Sequence, residues 1–443
     1  MSSAVWDIKR RLALVPRGWR TAFTAISLLW VATAASAGMA FLTTALLARE
    51  MGPASFGLFI SSVATVTIIA PLAGFGLPRF LLQAYGAEGW TANRWLPALV
   101  HATLTTTLLA MLSIVVWSFV GAPGDARGTL LLLLPLIPGV LAANLMGSKL
   151  RLEERYGQLA FWQTTTSGSR LLVALALLLL PTLDGHFVAA GYGLISVLVA
   201  MLAAPQLVSM LRGGLELRGH GPRPLAPAAH EPPSALRLWS QAWAYGMEAV
   251  LYPIFFQIST VLLKYLDGNA EAGVFSIALG VLIAVYMLPS TIYQKFLLSK
   301  LHRWAVHDTR KFWMVFRRGC VAMLGMGLLI GAAIVVVSPW AVPIAFGAKY
   351  LAVVPVLQLL AICVPLRFLS SGVAGALLNE RHMRYRVVLM GLSAVVVVVL
   401  NVLLIPAYHA LGAAMAITVG EAVLLAGTCM GVYRFHGDRP LRG

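Results

Sequence analysis

Among the charges inside long apolar stretches of this chain, five basic side chains and two carboxylates are candidates for a cavity: Arg79, Arg170, Lys264, Lys295 and Arg367, with Glu248 and Glu421. A charge exposed to lipid at mid-helix costs about 2.5–3.5 kcal/mol on insertion scales. Such groups therefore face a cavity, pair with one another, or snorkel to the surface from a helix end. The bases outnumber the acids, and that sets the sign of the chemistry. A path lined in this way repels cations and favours phosphate, pyrophosphate or an acidic sugar. Arginine supplies a planar donor fork for phosphate oxygens, and lysine a compact charge.

Each position has two readings. Arg79 and Lys295 lie near the ends of their apolar runs, where snorkelling competes with a place in a cavity. Arg367 sits near the middle of its run, flanked by Pro365 and by Ser370-Ser371-Gly372, and is expected to face water. Arg170 follows the polar stretch Gln163-Thr164-Thr165-Thr166-Ser167 and is expected to do the same. Lys264 can contact substrate or pair with Asp267. Glu248 and Glu421 can switch with a coupling proton or sodium ion, because burial raises a carboxyl pKa and a neighbouring cation lowers it. The alternative for both acids is a static ion pair that lets an arginine stay buried. Arg317 and Arg318 read as topology anchors beside a basic loop. Cys320, Cys363 and Cys429 are too scattered for a metal site or a disulfide framework.

These residues need long helices to hold them. Of 443 residues, 59% are hydrophobic and 11% charged, against roughly 25% charged in a soluble domain. Apolar runs of about 20 residues or more recur along the whole chain, as transmembrane helices require. The expected fold class is an all-α polytopic membrane protein with about 12 transmembrane helices in two six-helix lobes. A β-barrel would instead alternate polar and apolar residues in short segments. The expected division is a basic segment 1–22, an N-lobe 23–211, a linker 212–238, a C-lobe 239–433 and a tail 434–443. The linker carries many prolines and glycines and reads as flexible.

The net charge of +17 resembles a nucleic-acid signature until it is mapped. Lys and Arg concentrate before the first run, in alternate loops and at the end. Only Arg49, Arg127 and Lys349 fall in connections on the other side. That asymmetry is the positive-inside rule. It predicts cytoplasmic termini, no nucleic-acid partner, and basic loops that face anionic lipids. Residues 5–19 are basic and partly amphipathic, as a segment lying on a membrane surface would be. Ala35-Ser36-Ala37 resembles a cleavage site, but the apolar run continues past it, so the first helix is expected to be retained.

The chain also repeats itself. Residues 42–82 align with 258–298 without a gap, pairing Gly52 with Gly268, Ala54 with Ala270, Gly57 with Gly273 and Phe59 with Phe275. Arg79 falls on Lys295, and further on Glu154-Arg155 falls on Glu380-Arg381. Six helices per half is an even number, so both halves enter the membrane in one sense. Their relating axis then runs along the membrane normal, with a substrate path between them.

Three motifs are familiar. Leu47-Ala48-Arg49, Met51-Gly52-Pro53 and Phe56-Gly57-Leu58-Phe59 resemble the junction after helix 1 in Wzx-type polysaccharide-unit flippases of the MOP (multidrug/oligosaccharidyl-lipid/polysaccharide) superfamily. Ala345 to Tyr350 resembles that family's "FGxxY". Asn401 through Pro406-Ala407-Tyr408, Leu411 to Ala414 and Gly420-Glu421 resemble its closing pattern. The resemblance implies alternating access and translocation of an undecaprenyl-pyrophosphate-linked oligosaccharide across a bacterial inner membrane, for O-antigen, capsule or exopolysaccharide. It implies no cofactor, a proton or sodium gradient as energy source, and polymerase or assembly proteins as partners. The family's basic cavity maps onto Arg79, Arg170, Lys295 and Arg367. One departure concerns helix 7, where relatives often carry an Asp-Arg pair and this chain reads Ser259-Thr260. A multidrug cation exporter of the same superfamily would be expected to carry acids in its first helix, but positions 23–47 hold no charge. A lipid II flippase usually has two further helices. The short outward connections disfavour a membrane-embedded polymerase or ligase, so no enzymatic activity is expected.

Overall fold

A computed structural model describes residues 17–122, 124–179, 184–218, 220–221, 233–292, 309–375 and 383–436. The described residues form helices and connections without a strand. The helices are α1 (Arg17–Ile69), α2 (Leu77–Glu88), α3 (Leu96–Val120), α4 (Gly124–Leu132), α5 (Leu136–Leu152), α6 (Tyr156–Leu177) and α7 (Gly185–Leu211) in the N-terminal half. The C-terminal half contains α8 (Ala235–Leu266), α9 (Asn269–Ile292), α10 (Thr309–Phe346), α11 (Val353–Leu360), α12 (Cys363–Ala374) and α13 (Met383–His436).

Among the described residues, 8 continuous helical stretches are long and apolar enough to cross a membrane. Two of them, Ser27–Val120 and Met383–Phe435, are 94 and 53 residues long, whereas about 20 residues span a bilayer core. Both turn back at a left-handed residue. In α1 it is Gly52, at φ 77° and followed by Pro53. In α13 it is His409, at φ 54°. Glycine followed by proline is chemistry suited to the first bend, because glycine adopts positive φ without a Cβ penalty.

Three further breaks lie inside expected apolar runs. Between α1 and α2 the chain passes through Gly74, Phe75 and Gly76, all at positive φ, and the Gly74 amide donates to Thr106 Oγ1 at 2.9 Å. The expected runs 129–149 and 351–378 are each split, into α4 and α5 and into α11 and α12. These two runs hold equivalent places in the two halves. Broken helices are tolerated at membrane depth only where the backbone is enclosed by protein or lines a cavity.

The two halves meet chiefly where α1 crosses α9. Gly57 and Gly273, paired by the repeat, touch there. A Cβ on Gly57 would overlap the Asn269 carbonyl oxygen, and one on Gly273 would lie 2.6 Å from that of Pro53. Pro53 and Asn269 are themselves one repeat column, so the contact is reciprocal, as at a two-fold axis. Near this crossing one end of the molecule is closed across the halves. Tyr350 donates its hydroxyl to the Ala48 carbonyl at 2.9 Å, Lys349 donates to that of Arg49, and Trp117 donates to the Tyr265 hydroxyl at 3.0 Å.

The expected linker departs from its reading as a free tether. Within 212–221, Leu215 and Leu217 are buried and the Arg218 amide donates to the Leu152 carbonyl at 3.4 Å. The Gly221 carbonyl accepts from Trp90 Nε1 at 3.1 Å. Two leucines in an otherwise polar, glycine-rich stretch hold it against the N-terminal half. Residues 219 and 222–232 of the linker, like Lys295 and Glu380-Arg381, lie outside the described residues, and its last residues, 235–238, already belong to α8.

Candidate functional site: an arginine-lined cavity between the halves

A cavity of about 710 Å³ lies between the halves. Its wall takes in the break at Ala70–Gly76 and one face each of α2, α5, α8, α9, α12 and α13. Among the described residues four arginines line it, Arg79, Arg151, Arg367 and Arg386, with Glu248 as the lining carboxylate.

Arg79 is placed by the broken second crossing. Gly76 caps α2 at φ 74°, and any Cβ there would strike the backbone at Tyr245 and Gly246 of α8. That close approach brings the first turn of α2 against the turn of α8 that carries Glu248. Ser148 on α5 donates to the Pro78 carbonyl at 2.8 Å and holds α2 from behind. As a result Arg79 Nη1 donates to Glu248 Oε2 at 2.8 Å, across the boundary between the halves. The other oxygen, Oε1, takes Arg386 Nη2 from α13 at 3.3 Å. Arg79 and Glu248 are 59% and 28% exposed, so this bridge is open to water and contributes about 1 kcal/mol or less.

Arg367 is held differently. Its guanidinium lies over the rings of Phe256 and Tyr286, each at 5.2 Å, and of Tyr252 at 6.0 Å. Glu421 Oε2 stands 3.5 Å from its Nη1, with the carboxylate fully buried. Among the described residues neither Glu421 oxygen meets a partner at full hydrogen-bond geometry, and the pair is held chiefly by opposite charge. Removing one partner of a buried pair is far more damaging than removing both. The aromatic faces supply a second source of cation stabilisation.

The expected site residues thus divide. The structure brings Arg79, Arg367 and Glu248 to one cavity, with Glu421 directly behind Arg367. Arg170 lies apart from the lining, its guanidinium over the Tyr192 ring at 4.9 Å within the N-terminal half and its Nε buried without a partner. Lys264 is buried at the closed end, near the Tyr265 ring. Asp267, its suggested partner, instead pairs with His409 Nδ1 at 2.9 Å. Ser259, at the departure from the family's Asp-Arg pair, accepts from Asn401 Nδ2 at 3.0 Å.

Arg151 and Arg386 were missed as lining residues because they read as loop charges just beyond apolar runs. Helical spacing carried a signal. Leu141, Asn144, Ser148 and Arg151 recur on one face of α5, as do Met383, Arg386, Val387 and Met390 on α13, and all line the cavity. Arg151 has no carboxylate partner among the described ion pairs and lies within electrostatic reach of Arg79.

Outside the membrane-spanning stretches, a second cluster ties the 212–221 strap down. Arg155 Nη2 donates to Glu216 Oε2 at 2.8 Å, and Glu153, buried, pairs with Lys149 at 2.8 Å. The hydrogen bond from Arg155, followed by its charge, holds the Glu216 carboxyl below the usual range.

Among known proteins, the sequence profile of a family described as polysaccharide biosynthesis protein matches residues 24–297, more than half of the chain. A search of curated protein sequences returns no match. Solved structures resemble the chain over most of its length. An inward-closed lipid II flippase MurJ superposes with a TM-score of 0.69 at 12% identity, covering 91% of this chain and 87% of that one. An inward-facing multidrug resistance MATE transporter of the MOP superfamily gives 0.67 at 13% identity, covering 92% and 96%. A MOP superfamily transporter from Pyrococcus furiosus, described as having a binding pocket of reverse polarity, gives 0.60 at 14% identity, covering 93% and 96%. Likeness at such low identity speaks to the fold. The chain belongs to the polysaccharide biosynthesis protein family and is built on the all-helical fold of the MOP superfamily.

Proposed function

We propose that this protein carries an oligosaccharide linked to a lipid pyrophosphate, the undecaprenyl carrier of surface polysaccharide synthesis, across a bacterial inner membrane. The observation that supports it most is the cavity between the halves, lined among the described residues by four arginines and one carboxylate. A headgroup with two phosphates fits that sign and the planar forks of arginine. The long tail stays in lipid while the charged head and sugars use the cavity. Alternating access then consists of closing the Arg151 end and opening the Tyr350 end. With basic loops facing anionic lipid, both termini lie in the cytoplasm. An ion gradient drives the cycle, and Glu421, fully buried beside Arg367, is the carboxyl suited to take up a proton or sodium ion. Polymerase and assembly proteins receive the product.

The test is to delete the gene and measure how much lipid-linked repeat unit can be labelled from the outer leaflet. The reading expects a loss of outer-leaflet units with accumulation inside. Equal accessibility with and without the protein would refute it.

A further inference from the structure

We infer that Glu248 is an internal stand-in for the substrate's pyrophosphate: it holds Arg79 and Arg386 while the cavity is empty and yields them when a diphosphate arrives. The inference rests on the reading above and names what the lining carboxylate does within it.

Three observations carry it. Glu248 uses its two oxygens on two different arginines, Oε2 with Arg79 at 2.8 Å and Oε1 with Arg386 at 3.3 Å. A diphosphate would make the same kind of bridge with more oxygens and more charge. The arginines come from the two halves, Arg79 from α2 and Arg386 from α13, so whichever anion sits between them also draws the halves together. The bridge is half open to water, with 59% exposure at Arg79 and 36% at Arg386, so it is weakly held and within reach of an incoming anion. Arg151, within electrostatic reach of Arg79 and without a carboxylate partner among the described residues, adds a third cation that Glu248 does not engage. The contrast with Glu421 is informative. That carboxylate is fully buried behind Arg367 and faces no route by which a ligand could replace it.

The exchange follows from charge. With the cavity empty, Glu248 keeps neighbouring guanidinium groups from repelling one another. When a diphosphate binds, Arg79, Arg386 and Arg151 turn to it, and Glu248 loses both partners and rehydrates. A small single-centred anion such as sulfate brings too little charge and too few oxygens to displace a carboxylate that already holds both arginines. Glu248 thereby acts as a specificity-determining residue that sets the minimum charge of the ligand. Among the described residues its hydrogen bonds go to these two arginines, and it returns to them when the ligand leaves.

The experiment measures binding of inorganic pyrophosphate, of farnesyl diphosphate in micelles and of inorganic sulfate to the purified full-length protein, wild type and Glu248→Gln. Thermal melts are recorded with and without each ligand. Farnesyl diphosphate separates recognition of a lipid headgroup from that of a free anion. The expected result is that Glu248→Gln binds both diphosphates about five- to tenfold more tightly than wild type. It should also melt lower when empty and recover with pyrophosphate, not with sulfate. The gain should vanish in Arg79→Ala, where the stand-in has lost a partner. If Glu248→Gln does not fold, Glu248→Asp replaces it, with a gain of about threefold, because the shorter stem reaches only one guanidinium well. Wild-type binding of diphosphates with an unchanged or weaker Glu248 variant would overturn the stand-in role and leave the cationic site intact. Absence of diphosphate binding in both proteins would overturn the functional reading together with this one.

Discussion

Gly57 and Gly273 face each other across the crossing of α1 and α9, each against the backbone carbonyl that the other's helix presents one turn earlier. A contact between two equivalent positions is self-reciprocal, as at a two-fold axis relating the halves. Adding a methyl group at either glycine forces backbone apart. Gly57→Ala is expected to lower stability by about 1–3 kcal/mol, the range of overpacking. Gly280→Ala on the same α9, where nothing lies within 4 Å of the new Cβ, should be neutral. Thermal melts of both variants in one detergent make the comparison.

The Arg367–Glu421 pair gives a second prediction. Arg367→Ala alone leaves a fully buried carboxylate uncompensated and should cost about 3–5 kcal/mol. Arg367→Ala combined with Glu421→Gln should recover a large part of that loss. A denaturant or thermal series on the two single variants and the double shows the non-additivity. Additive losses would mean the two side chains do not sense each other.

At the closed end, Tyr350→Phe removes the hydroxyl that meets the Ala48 carbonyl, a hydrogen bond worth about 1 kcal/mol. The effect should fall on that end alone. Hydrogen exchange is expected to speed up at the bend around Gly52 and stay unchanged in α2. Uniform acceleration would point to general loosening instead.

The strap at 212–221 should respond to acid. Glu216 has its carboxyl pKa depressed by Arg155, so its contribution is present above the ordinary carboxylate value and disappears as pH falls through the lowered one. Limited proteolysis at 212–221 should therefore be slow at neutral pH and quicken under strongly acidic conditions. Glu216→Gln should be cut quickly at both.

Much of this was legible in the chain. Apolar length gave the helices, and the repeat placed Gly57 on Gly273. A charge at mid-run, Arg367, turned out to line the cavity, as did Arg79 and Glu248. What one-dimensional spacing could not show is which side of a helix faces its own half. Arg170 follows a polar stretch much as Arg367 precedes one, yet it stacks on Tyr192 within the N-terminal half. Arg151 and Arg386 look like loop charges because hydropathy ends a helix where charges begin, whereas the helix itself continues. The breaks at Gly74–Gly76 and at the α11–α12 junction interrupt apolar runs without any loss of hydropathy, so composition is blind to them.

The motifs by which the chain resembles its relatives meet one another in space. Arg49 and Ala48 belong to one, and Lys349 and Tyr350 to another; their hydrogen bonds fasten the closed end. Neither motif borders the cavity that Arg79, Arg151, Arg367 and Arg386 line. These two motifs are therefore a signature of the latch, whereas the third reaches the cavity wall through Glu421 behind Arg367. Chains collected by those two motifs would share a way of shutting while differing in what they carry, and their cargo would have to be inferred from the cavity walls, residue by residue.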